Sequence, residues 1–340
     1  MTVTETDFDS HGVRCGATHL TATSDALTTA GGRPCVVMGH GFGATRDAGL
    51  MPFAERFAAA GADVLLFDYR GYGTSDGTPR QNVAHHQHRQ DYHAALRAAR
   101  ALDGVDARRM VLWGSSYSGG HVIAVAAQDG KVAAVISQGA AMDGAAALTM
   151  MLRTAGRVQV AKLTGHALRD AAGALLGRAP HHVAVVGMPG SLAAITAPGA
   201  ELGYQSIMGP TFRNEMCARG ILGIALNRPV TFAAKLRCLL LLVMATEDNV
   251  APHRPSAQWA RRRAEKPRCS SWNAGTSRST PASCSTGRWP RRSTSSPASW
   301  SDNSHRTPQR ECAMMTEWQR VTVASSPGPW RCGCSIGCLG

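Results

Sequence analysis

One stretch of this chain leaves it few folds to choose from. The apolar run Met110–Trp113 leads at once into Gly114-Ser115-Ser116-Tyr117-Ser118-Gly119-Gly120, and a small-residue helical stretch, Ser118–Gln128, follows with no intervening loop. A strand that passes straight into a helix belongs to a parallel sheet, because parallel strands need a long crossover and the helix supplies it. The turn is tight, and small residues two before and two after Ser116 let the backbone bend without clashing. The side chain at the centre of such a turn projects its hydroxyl beyond the carboxyl end of the strand, with the positive end of the helix beneath it. Ser115 and Ser118 flank that centre and are not aimed outward.

The rest of the first 250 residues repeats the rhythm. Val36–Met38, Val64–Phe67, Met110–Trp113, Val132–Ser137 and Leu239–Met244 read as strands; Leu50–Ala60, Val83–Ala101 and Ser118–Gln128 read as helices. The strands are continuous in apolar character rather than alternating, as expected of a mostly parallel sheet covered on both faces by helices. The rhythm breaks between Gly144 and Pro229. That stretch holds helical pieces (Ala145–Leu176) and Gly/Pro-rich loops around Gly187–Gly203, then the strand pattern resumes. The expected organisation is a core over 1–143, an inserted cap over 144–230, the remainder of the core over 231–266, and a tail over 267–340.

Charge and cysteine usage narrow the function classes. The net charge of +13 is uneven: residues 1–266 hold 27 Lys+Arg against 20 Asp+Glu, and residues 267–340 hold 9 against 3, all nine being Arg. No basic stripe with interleaved aromatics runs through the body, so a nucleic-acid partner is not expected. The acidic start, Met1–Ser10, has no apolar run and does not read as a signal peptide. The longest apolar run, Cys238–Ala245, is far short of the ~20 residues a bilayer requires. A cytoplasmic protein without a membrane partner is therefore expected. Cys332, Cys334 and Cys338 cluster without a histidine or a second pair, which reads as chance rather than a zinc site, and no metal or organic cofactor is expected.

Three further loops carry chemistry. Gly39-His40-Gly41-Phe42-Gly43 follows the first apolar strand. Acyl transfer needs two backbone N–H groups aimed at the developing oxyanion, and the N–H groups of Phe42 and Tyr117 are the candidates. His40 sits beneath its loop, where a histidine more often fixes a turn than acts as a base. Asp68-Tyr69-Arg70-Gly71-Tyr72-Gly73-Thr74-Ser75 ends the next strand; Asp68 and Arg70 are expected to hold the loop by pairing with backbone or with each other. Glu247-Asp248-Asn249-Val250-Ala251-Pro252 follows the late strand. An acid there can orient a histidine, with Asp248 the first candidate and Glu247 the second.

With these pieces in this order, the chain resembles the α/β-hydrolase superfamily, and within it the serine aminopeptidase-like and dienelactone-hydrolase-like esterases. The resemblance covers roughly residues 10–266 and rests on Gly39–Gly43, Asp68–Ser75, Gly114–Gly120 and Asp248–Pro252. It implies an α/β-hydrolase fold and cleavage of a small-molecule ester or amide through an acyl-enzyme on Ser116. Phe42 and Tyr117 would form the oxyanion hole, and Asp248 would be the triad acid. A serine rather than an aspartate at 116 argues against the dehalogenase and epoxide-hydrolase branches.

The chain departs from the family where the catalytic histidine should be. The base is expected 25–30 residues after the acid, yet the window around Trp272–Thr280 has no histidine. His253 lies too close to Asp248, and His305 has no apolar neighbours to place it. The histidine is thus unassigned. The composition of the tail suggests why. Residues 268–300 contain no Leu, Ile, Val or Phe, and Ser and Thr fill 14 of the 33 positions, too little apolar surface to offset ordering entropy. Read one base back, Trp272 followed by Asn273 forces Glu, Trp289 followed by Pro290 forces Ala, and the Gly275–Thr276 junction permits His. Gly275–Arg291 is then compatible with HFEIYTGELFDRAVAE, a histidine followed by a helical apolar pattern. A frameshift near Lys266–Pro267 is the expectation, with a natural disordered tail as the alternative. The lost segment would leave the sheet edge near Leu239–Met244 uncovered.

Overall fold

The computed structural model describes residues 1–244 together with the strand Val321–Ala324. All of these fall within one structural unit. Eight strands form one sheet: β1 (Val3–Ser10), β2 (Val13–Leu20), β3 (Arg33–Gly39), β4 (Asp63–Phe67), β5 (Val105–Ser115), β6 (Ala134–Gln138), β10 (Leu239–Val243) and β11 (Val321–Ala324). Their order across the sheet is β1-β2-β4-β3-β5-β6-β10-β11. The five strands from β4 to β10 are parallel, and β1, β2 and β11 are antiparallel to their neighbours. This is the expected mostly parallel sheet.

The continuous apolar strands bury residues on both faces. In β3, Val37 packs in one core with Leu65, Phe67, Leu96 and Val122. Its neighbours Val36 and Met38 point the other way, into a second core with Ala54, Ala58, Leu66 and Trp113. Side chains along a strand alternate, so both cores draw on the same run. The second core is closed by α1 (Met51–Ala59) and the first by α2 (His85–Arg100) and α3 (Tyr117–Asp129).

Between β6 and β10 the chain leaves the sheet. The excursion comprises α4 (Gly144–Thr154), α5 (Gly156–Leu175), β7 (His182–Val186), β8 (Ala193–Ile195), α6 (Ala200–Ile207), β9 (Met216–Cys217) and α7 (Gly220–Ile224). The helical stretch read as Ala145–Leu176 is two helices, broken at Gly156, whose φ is 84°. β8 lies inside the stretch expected to be loop, and β8-β7-β9 form a small separate sheet.

The edge of β10, expected to be bare, is paired antiparallel with β11, Leu240 opposite Ala324 and Val243 opposite Val321. Val321-Thr322-Val323 is an unbroken run of β-branched residues, a composition that suits a strand wherever it occurs. The rest of the 267–340 tail lies outside the described residues.

Candidate active site

The carboxyl ends of adjacent strands β3 and β5 bring two loops together, with Gly39 in register with Gly114. Such an edge is where open α/β sheets bind ligands. At the end of β5, Ser116 takes φ 55° and ψ −116°, a conformation that costs a non-glycine residue on the order of 1–3 kcal/mol and persists only when its surroundings hold it. Several bonds do so. The Ser116 N–H donates to the Gln138 carbonyl at 2.8 Å, and the Ser116 carbonyl accepts from Ala141 N–H at 2.9 Å. Ser118, fully buried, accepts the Ser115 N–H at 2.9 Å, and its hydroxyl lies 2.9 Å from both the Gly39 and Ser115 carbonyls. Ser118 thus ties the elbow to β3. Gly114 has to be glycine, because a Cβ there would come within 2.5 Å of the Ser118 carbonyl oxygen.

Ser116 opens into a cavity of about 290 Å³. Phe42 and Tyr117 line it beside Ser116, and their rings meet edge to face at 5.3 Å. Most of the remaining wall is apolar and comes from the excursion: Leu148, Met150 and Met151 of α4, Val160 and Leu163 of α5, and Ile221 and Ile224 of α7.

The Phe42 loop is held from both sides. The His40 Nδ1 donates to the Gly41 carbonyl at 3.1 Å, which orients the peptide unit carrying the Phe42 N–H. The Tyr204 hydroxyl of α6 donates to the Phe42 carbonyl at 2.9 Å. His40 is 1% exposed, does not line the cavity, and keeps its Nε2 3.9 Å from Asp68. Burial lowers its pKa despite that carboxylate, so the ring is neutral. His88 and His121 are also buried, and burial holds both well below the ordinary histidine range.

Asp68 accepts the N–H groups of Arg46 at 2.7 Å and Thr74 at 3.2 Å, the expected loop-holding role. Arg70 pairs with Asp91 rather than with Asp68, because α2 presents Asp91 to the Arg70 N–H as well as to its guanidinium. Asp248 and Glu247, the candidate acids, lie outside the described residues, as do His253 and His305. The structure therefore brings Ser116, Tyr117 and Phe42 together and leaves the acid and base unassigned.

Asp143, Asn227 and Arg228 were not singled out in the sequence. Asp143 lines the cavity, caps α4 through the Ala145 N–H at 3.0 Å, and forms a two-pronged pair with Arg228. Burial pushes its pKa up, but these partners outweigh burial and the net shift is downward. Asn227, buried in the cavity wall, accepts the Gly144 N–H at 2.8 Å and a bond from Arg89 of α2. Asp143 and Gly144 begin the excursion, and Asn227 and Arg228 end it, so these bonds close its neck. An Asp before a run of alanines was a legible helix cap; the Asn227 contacts had no local signal.

Residues 34–178 match the α/β hydrolase fold family. Over 258 residues, 75% of this chain and 82% of the relative, the chain is 38% identical to the quorum-quenching protein AidA of Acinetobacter baumannii (strain MDR-ZJ06).

This chain belongs to the α/β-hydrolase family.

Two solved structures share the α/β-hydrolase fold with it. The α/β hydrolase GrgF from Penicillium sp. sh18 superposes with a TM-score of 0.64 at 22% identity, covering 76% of this chain and 85% of GrgF. DcsB, solved with a substrate analogue, gives 0.62 at 21% identity, with 76% and 85% covered. By its family the protein is a hydrolase of α/β fold. Among the described residues no helix is long and apolar enough to cross a membrane, and no group of three or more metal-ligating side chains converges.

Proposed function

We propose that this α/β hydrolase is of the serine type and cleaves an ester or amide whose acyl part is apolar. The observation that carries this reading is Ser116, held at φ 55° on the elbow and opening into a cavity walled by Met, Leu and Ile side chains. In the reaction, the Ser116 hydroxyl oxygen attacks the acyl carbon and its proton passes to a histidine oriented by Asp248. The oxyanion accepts hydrogen bonds from the Phe42 and Tyr117 N–H groups. Collapse expels the alcohol or amine, which takes the proton from the histidine; water then cleaves the acyl-enzyme by the same route. Since AidA is described as a quorum-quenching protein, removal of a small acylated signal is a setting that fits.

The histidine of this scheme belongs to the reading frame in which Gly275–Arg291 regains a base loop and closing helix. The absence of a histidine from the Trp272–Thr280 window favours a second reading, an inactive remnant of the same lineage. A serine without a positioned base is a poor nucleophile, and a site lacking one triad member retains only the ~10³–10⁴-fold acceleration over water that binding and the oxyanion hole supply.

The test compares the 340-residue chain with a frame-restored version on p-nitrophenyl esters of graded acyl length. The restored protein is expected to turn over, the 340-residue chain to stay near background, and Ser116→Ala and Asp248→Asn to lower the restored activity by orders of magnitude. Ser115→Ala is expected to keep a measurable part of it. Full activity in Ser116→Ala would refute the elbow assignment. Equal rates for the two frames would place the base among the histidines already present, His253 or His40 first.

A further inference from the structure

α5 has two faces. Gln159, Leu163, Ala167 and Asp170 are buried, and Val160, Leu163 and Thr164 roof the cavity. The opposite side is exposed at positions 157, 158, 161, 162, 165, 168, 169, 172 and 175, three and four residues apart along one stripe. A helix bordering water normally presents a polar stripe there. This one does not. Val158 is 70% exposed, Leu168 56% and Leu175 90%. The only charged residues on the stripe are Arg157, Lys162 and Arg169, with no acid among them. The acid of α5, Asp170, is turned inward and paired with Arg219.

We propose that this outer face of α5 docks on an anionic lipid surface. Apolar side chains with interleaved cations and no acids are what a helix needs to lie in a headgroup layer, the leucines entering the acyl boundary and the cations meeting lipid phosphates. A second copy of the chain fits worse, because a two-fold contact across α5 sets the same patch against itself and opposes three cations with three cations. The interaction is peripheral, so it needs no spanning segment, and it does not depend on the chemistry at Ser116.

The test is flotation of the full 340-residue chain with vesicles of phosphatidylcholine alone or mixed with phosphatidylglycerol, at low and high salt. Binding to the mixed vesicles, weak binding to phosphatidylcholine and loss of binding with salt are expected. Lys162→Gln and Arg169→Gln should each weaken partitioning about fivefold, the worth of one basic residue near an anionic surface. The double variant Leu168→Asp, Leu175→Asp should abolish it. All these positions are exposed, so the variants should keep the parent's circular dichroism.

Three results would overturn the proposal. One is equal binding to both kinds of vesicle. Another is variants that bind as well as the parent, which would assign binding to the Arg-rich residues 267–340. The third is a parent that self-associates in sedimentation while the Leu168→Asp, Leu175→Asp variant does not.

Discussion

Replacing Ser118 by alanine removes one oxygen atom and leaves the backbone free to keep its path, so its effect isolates the bonds that hold the elbow. In the structure that oxygen accepts the Ser115 N–H and donates to the Gly39 or the Ser115 carbonyl, all at 2.9 Å, the Gly39 bond buried and the two Ser115 bonds part-buried. The substitution leaves the part-buried Ser115 N–H without its partner, at about 1–3 kcal/mol, and forfeits a hydroxyl bond of about 1 kcal/mol. The expected loss is therefore about 3 kcal/mol, or about 6–12 °C in melting temperature for a domain of this size. Ser115→Ala is the control: no described hydrogen bond uses its hydroxyl, and its side chain is only part-buried, so its melting temperature should shift by no more than ~0.5 kcal/mol implies. Thermal unfolding followed by circular dichroism on the two variants and the parent decides the matter. If Ser118→Ala melts with Ser115→Ala, the Ser118 bonds do not hold the strained Ser116 backbone.

Two further predictions concern the excursion over the site. Asp170 accepts the N–H groups of His181 and Arg219 as well as the Arg219 guanidinium; burial raises its pKa, but these partners outweigh burial and the net shift is downward. A carboxylate with a depressed folded pKa contributes stability that is complete above the unfolded value of about 4 and is lost as pH falls through the folded one. Asp170→Asn should thus speed amide exchange around 181–183 and 219 at pH 7, and the difference from the parent should shrink below about pH 4; a difference independent of pH would refute the assignment. At the neck, a Cβ on Gly144 would fall 1.8 Å from the Ile224 carbonyl oxygen, so Gly144→Ala should perturb α4 and α7 or the yield of folded protein, as read by limited proteolysis, whereas Gly156→Ala, with open space around it, should leave that contact untouched.

The parallel part of the sheet was legible because its strands are buried on both sides and therefore run apolar without a break, as in Val36-Val37-Met38. The first two strands were not. In β1 only Phe8 and Ser10 are buried, and the acidic residues around them, Glu5, Asp7 and Asp9, read as a polar start. A signal was present in the turn, His11-Gly12, where both residues have positive φ, the geometry of a two-residue hairpin. The elbow was legible because its geometry is local, set by residues within a few positions of Ser116. The neck was not, because Asn227 depends on Arg89, 138 residues away in sequence, and no pattern at either position announces the other. β9, two residues long, offers no periodicity to read.

The Tyr204–Phe42 bond joins the module that walls the cavity to the loop proposed to steady the reacting oxygen. If that loop serves as proposed, a ligand pressing on residues 194–197, which line the cavity and lead into α6, is felt at Phe42 through Tyr204, and one that displaces them loosens that hold. Two compounds of equal affinity would then react at different speeds according to how each leaves α6. Discrimination among substrates would be written into turnover rather than into binding.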